Sequence, residues 1–293
     1  MSQRLEARRA ATILVLPAII LLLALNIFPI IYAAYISLHH WNLASPNPPR
    51  FAGLFNYEEL LIDERFSNSL MVSGQFIFLA VGIELLLGFA LAFVFNSKLP
   101  GLDTLRKISL LPVMAMPLVV GLTWFYMLNE NFGVTNWIVT LFGFERQPFL
   151  TDQTLSILSV VLTDVWQWTP FVTLVIFAAL QSLPEYVFEA ARMDGLNERQ
   201  IFFKMTLPLL RPAILVVLVI RAVDAFRMIE LIFMMTKGGP AGATEVMPWY
   251  LYTTGFLSLN LGYAAAMAVV MIIVVTLVAQ VLVRKIVNQG EME

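Results

Sequence analysis

The sequence predicts an all-α membrane protein with six membrane-spanning helices, both termini on the cytoplasmic side and a two-helix loop there as well. Three observations lead to it. The mean hydropathy is +0.81, with 59% hydrophobic and only 13% charged residues, against about a quarter charged in soluble domains. Six apolar runs, near 12–37, 70–95, 108–128, 155–180, 213–236 and 262–283, reach the roughly 20 residues that a helix needs to cross the hydrocarbon core. Lys and Arg fall mainly on one side of those runs, the side that stays cytoplasmic in membrane proteins. The formal charge of −2 hides that bias and says nothing of partners; no nucleic acid is expected among them. With no cysteine, thiolate metal sites, disulfides and Cys nucleophiles are excluded.

The first run follows Arg4, Arg8 and Arg9 and exceeds the apolar core of a signal peptide, so it is read as a retained span. The second carries an acid, Glu84, and ends at a basic connection, Lys98, Arg106 and Lys107. The third contains Pro112 and Pro117, which predict a kink with the freed carbonyls satisfied by neighbours or water. The fourth leads into Arg192, Arg199, Lys204 and Arg211, and the sixth ends at Arg284 and Lys285. Twelve of the 18 cations thus lie on the face of the termini, against Arg50, Arg65, Arg146 and Lys237 opposite and Arg221 and Arg227 inside span five. The outer loops, 38–69, 129–154 and 237–261, are the default docking surface for an external protein. His39 and His40 are read as interfacial, with no third ligand to suggest a metal.

The loop at about 182–212 has its own local code. Ser182 with Glu185, and Pro184 between them, reads as the start of a short helix. Gly195 sits where that helix would end left-handed, Asn197 with Gln200 caps a second, and Pro208 and Pro212 mark the return into the membrane. Four acids (Glu185, Glu189, Asp194, Glu198) balance four bases, whereas helices that lie on anionic lipid are rich in Lys and Arg. Docking to a protein is favoured over contact with lipid headgroups.

Glu189, Ala190 and Ala191, then Gly195 after three residues, then Met205, Leu207 and Pro208 after nine more, resemble the EAA motif of ABC importer permeases, with Met205 in the usual Ile position. The segments "WQWTPFVTLVIFAALQSLPEYVFEAA", "NSKLPGLDTLRKISLLPVMAMP" and "LIFMMTKGGPAGATEVMPWYLYTTGF" are similar to the sugar-type branch, the last to the external GGP region of the subunit type paired with a distinct second permease. The resemblance covers nearly the whole chain, 1–293, as a single transmembrane domain. It implies a coupling loop in which Glu189, Ala190, Ala191, Asp194, Gly195, Leu207 and Pro208 face an ATPase. It further implies two ATPase domains, a second permease, an extracytoplasmic solute-binding protein, a sugar or polyol solute, and a multi-pass location in a prokaryotic inner membrane. The chain lacks a GxxxxGK[ST] phosphate loop, so it is read as a transport subunit rather than an enzyme. No cofactor is expected in it; ATP and Mg²⁺ would be bound by the partner.

Polar side chains at membrane depth are costly and face protein or water. In span four, Asp164, Gln167, Trp168 and Phe171 share one helical face and offer aromatic surface with directed hydrogen bonds, the means by which sugars are held; an interfacial aromatic belt is the other reading. In span five, Arg221, Asp224, Arg227 and Glu230 recur every third residue. Arg221 and Glu230 are read as a salt-bridge ladder near the span's ends, Asp224 and Met228 as facing solute, and Glu84 as a partner for Arg221 or Arg227. A secondary transporter driven by an ion gradient is the rival class, although its usual internal repeats are not visible. No hydrolase or metal constellation points to a membrane enzyme.

Overall fold

The computed structural model describes residues 2–97 and 99–290. Lys98 lies outside the described residues, as do the side chains of Arg4, Arg8, Arg9 and Lys285. In chain order the helices are α1 (Ser2–Ser37), α2 (Phe55–Ile62), α3 (Glu64–Asn96), α4 (Leu102–Ser109), α5 (Leu111–Met114), α6 (Pro117–Met127), α7 (Val134–Leu141) and α8 (Gln153–Ser182). There follow α9 (Glu185–Met193), α10 (Glu198–Ile201), α11 (Leu207–Arg227), α12 (Glu230–Met235), α13 (Met247–Tyr252) and α14 (Leu261–Gly290). A two-residue pair, β1 (His39–His40) with β2 (Arg50–Phe51), is antiparallel. Among the described residues five helices are long and apolar enough to cross a membrane, or six if a bent pair is one span.

The chain divides by contact into two compact units, one of residues up to Asp63 with Leu251–Ile273, the other of Glu64–Tyr250 with residues from Val274 onward. In the first, the segment predicted as a plain outer loop contains α2. Asn56 ties that helix down by donating to the carbonyls of Ser37 (2.7 Å) and His39 (3.0 Å). Among the described residues no group of His, Asp and Glu is placed to hold a metal.

The second unit is built on α3, α8 and α11. Ala92 of α3, Val172 and Ile176 of α8 and Leu210 and Val217 of α11 form one fully buried cluster. Lipid tails are as apolar as these side chains, so close packing rather than water exclusion holds such helices together. Gly88 permits that approach: a Cβ built there would lie 2.6 Å from Val172 Cγ1 and 3.1 Å from the Thr173 backbone N. Gly88→Ala is expected to push α3 off α8 and destabilise the unit by about 1–3 kcal/mol. A lowered melting temperature of the purified chain checks this.

Three predicted elements are corrected. The third span is broken rather than merely kinked: Leu102–Met114, which holds α4 and α5, meets α6 at 96°. Ala115 and Met116 are both extended (ψ 139° and 128°), Met116 because Pro117 disfavours helical geometry in the residue before it. The expected cap at Ser182 does not form; α8 runs through Ser182, whose hydroxyl donates to Ala179 O, and α9 starts after Pro184 with no side-chain cap. Finally, Pro208 and Pro212 make no turn. The second short helix runs on through a π-helical stretch, Phe202–Thr206, directly into α11. That wider turn carries the chain past Pro208, whose ring would otherwise press on the preceding turn.

Candidate functional site

Two groups of polar residues in the second unit bear on function. The first is where α3, α8 and α11 meet at depth. Arg221 of α11, 1% exposed, donates through Nε and Nη2 to both oxygens of Glu84 on α3, at 2.7 and 2.9 Å. Nη2 also donates to Asp164 Oδ2 on α8, and Nη1 to Asp224 Oδ2 one turn along α11, each at 2.8 Å. The Trp168 ring stacks on the guanidinium, 4.6 Å from its carbon to the ring centroid. Three helices are therefore pinned by one cation. A buried ion cluster of this kind adds little net stability over a packed apolar core, because desolvation offsets attraction; its bonds tie α3, α8 and α11 together at one point.

Beside the cluster lies a cavity of about 90 Å³, lined by Asp164, Gln167, Trp168, Arg221 and Asp224, with Arg227, Met228, Glu230 and Pro117 closing it. Two helix breaks border it. Pro117 begins α6, and the end of α11 places Met228 in extended backbone (φ −62°, ψ 119°) before α12 starts. Gln167 supports the first break by donating through Nε2 to Ala115 O at 3.0 Å, which is how a carbonyl freed by proline is satisfied inside the protein. A far larger groove, about 760 Å³, is lined by side chains such as Ile77, Phe78, Leu218 and Val278. It has no titratable lining residue, so it cannot supply directed polar recognition.

The second place is the corner between α9 and α10. Leu196 N–H donates to Ala191 O (3.1 Å) and Gly195 N–H to Arg192 O (3.0 Å), a complete Schellman motif with Gly195 at φ +81°. Asn197 and Gln200 then exchange side-chain and backbone hydrogen bonds, both 2.9 Å, in a capping box. Arg192 bridges the corner to Glu198 at 2.9 Å. That hydrogen bond raises the Arg192 pKa above its already high ordinary value. The outward side of α9 exposes Tyr186 (73%), Ala190 and Met193 (89%), at the i, i+4, i+7 spacing of a single face.

A model of the family described as "Binding-protein-dependent transport system inner membrane component" matches residues 76–289, well over half of the chain. The chain belongs to this permease family. Among similar curated proteins, the trehalose/maltose transport system permease protein MalF of Thermococcus litoralis is 35% identical over 246 residues, 83% of each chain. The sn-glycerol-3-phosphate transport system permease protein UgpA of Agrobacterium fabrum is 34% identical over 267 residues, 90% of this chain and 89% of its own. The crystal structure of a bacterial alginate ABC transporter, in complex with an alginate pentasaccharide-bound periplasmic protein, contains a chain of the same fold, with a TM-score of 0.83 at 20% identity over 96% of this chain and 95% of that one.

In this permease Asp164, Gln167, Trp168, Asp224 and Met228 are brought to one cavity. Phe171 is not; it packs against the α3–α8–α11 cluster with its ring edge-on to Trp168. Arg221 stands at the centre of the cluster rather than at the end of a ladder, and Glu84 is its bidentate partner. Glu230 accepts from Ile229 N–H at the start of α12 and does not continue the i, i+3 series, since α11 has already ended. At the corner, Glu189, Ala190, Asp194 and Gly195 are exposed, whereas Ala191 is turned inward at 5%. Leu207 and Pro208 open α11. Tyr186 and Met193 escaped sequence reading, although their spacing with Ala190 on a nine-residue helix was a usable sign.

Proposed function

We propose that this permease forms half of the pathway of an ATP-driven importer for a sugar or related polyol. A distinct second permease supplies the other half, and an extracytoplasmic solute-binding protein delivers the solute. Two ATPase domains bind ATP and Mg²⁺ and drive the cycle, and this chain itself holds neither. Both termini and the α9–α10 corner are cytoplasmic, in keeping with the Lys and Arg distribution. The corner fits a socket on the ATPase, and movement there passes directly into α11, because α10 and α11 are joined without a turn. Asp164, Gln167, Trp168, Asp224 and Met228 line the solute path, with Phe171 behind them.

The observation that carries this reading is the exposed face of Tyr186, Ala190 and Met193 on a helix whose far end is locked by the Schellman and capping-box pair. Apolar side chains so exposed on a braced helix suit a protein groove. The relatives named for trehalose/maltose and for glycerol 3-phosphate support the solute class. Reconstitution into liposomes tests it. Uptake of labelled trehalose should require the partner permease, the ATPase and ATP, and should survive ionophores that collapse ion gradients. Gradient-driven uptake by this chain alone, without ATP, would establish the secondary-transporter reading in its place.

A further inference from the structure

The charges around the 90 Å³ cavity bear on which solutes can pass, given its place in the proposed pathway. Arg221 has little left to offer an anion. Four of its N–H groups are engaged, two by Glu84, one by Asp164 and one by Asp224, out of the five that a guanidinium carries, and Trp168 covers one face. Arg227, the other cation on the lining, lies 3.9 Å from Asp224 and shares the wall with Glu230. Three carboxylates thus line the cavity against two guanidiniums, and Glu84 stands behind Arg221 with no cation of its own to spare.

The unmet need of the site is for donors. Gln167 is fully buried and lines the cavity, and its Oε1 has no hydrogen-bond partner among the described residues, while Nε2 is engaged by Ala115 O. A buried acceptor in that state is costly until a donor reaches it. Asp224 is part-exposed, and its Oδ1 is only loosely paired, with Arg227. Hydroxyl groups satisfy both acceptors; a phosphate or carboxylate satisfies neither and meets the surplus of negative charge.

We infer that this cavity selects uncharged, hydroxyl-rich solutes and rejects sugars or polyols that carry a phosphate, carboxylate or sulfonate. The inference rests on the pathway reading above. A unit of excess charge about 6 Å away, at an effective dielectric of about 20, weakens anion binding on the order of 100-fold.

Equilibrium dialysis of the assembled importer in nanodiscs tests it with matched labelled pairs, trehalose against trehalose 6-phosphate and glycerol against glycerol 3-phosphate. The neutral member of a pair should bind at least about tenfold more tightly, and Gln167→Ala should weaken it. Asp224→Asn should narrow the ratio about tenfold. Glu230→Gln should do so as well, and its carboxylate is held by Ile229 N–H rather than by the buried cluster, so it guards against a folding defect. Anionic members that bind as tightly as neutral ones, with Gln167→Ala weakening both, would overturn the charge selection and leave the pathway reading standing. No saturable, Gln167-dependent binding of any probe would overturn the pathway reading itself.

Discussion

Replacing Arg221 with Met is expected to destabilise the permease by about 3–5 kcal/mol, the cost of leaving buried carboxylates without their cation. Glu84 and Asp164, at 0% and 2% side-chain exposure, would share a buried site with no compensating charge from Arg221. The expected readout is a fall in melting temperature and in the yield of folded chain. The size of the penalty depends on the acids, so neutralising them in the same chain (Arg221→Met with Glu84→Gln and Asp164→Asn) should recover most of the loss. Packing alone would give no such recovery, because the amides are near-isosteres of the acids they replace. A triple variant as unstable as the single one would mean that the cluster acts by shape rather than by charge.

The second large effect is on coupling. Met193→Glu leaves the chain's own fold almost untouched, within about 0.5 kcal/mol, since the side chain is 89% exposed. It nonetheless places a charge on the proposed docking face, at the end of α9 next to the braced corner. Loss of one contact that becomes well buried on docking is worth about 2 kcal/mol or more, so ATP hydrolysis stimulated by the loaded binding protein should drop more than about tenfold. Gly195→Ala should act by a different route. No atom lies within 4 Å of the added Cβ, but the backbone stands at φ +81°, where an L-residue costs roughly 1–2 kcal/mol. The corner should relax and uncouple hydrolysis from transport while the spans remain folded. Assays of stimulated hydrolysis in nanodiscs, beside melting curves of the same preparations, separate coupling from stability for both variants.

Much of this architecture was legible in the sequence because membrane solvent leaves so few options. Hydropathy located α1, α3, α8, α11 and α14, and the Gly195 and Asn197–Gln200 pattern located the corner, since these are local rules with local causes. What escaped depended on partners distant in sequence. The 96° break after α5 is stabilised by Gln167, 52 residues away from the carbonyl it binds. Arg221 looked like one rung of an i, i+3 series, because the sequence shows Asp224 beside it but not that Glu84 and Asp164 converge on it from two other helices. The π-helical passage just ahead of Pro208 was hidden for a related reason: proline announces an irregularity without saying whether the chain turns or merely widens.

The central claim is that the α9 face seats on an ATPase. Because the chain has no cysteine, Met193→Cys introduces a single thiol on that face, and Leu61→Cys, on α2 at 82% exposure, provides a control elsewhere. A short thiol-to-amine cross-linker applied to the assembled importer should join the Met193→Cys chain to the ATPase subunit and leave the Leu61→Cys chain free of that adduct. A Met193→Cys chain that never cross-links to the ATPase, or that does so no better than the control, would contradict the account.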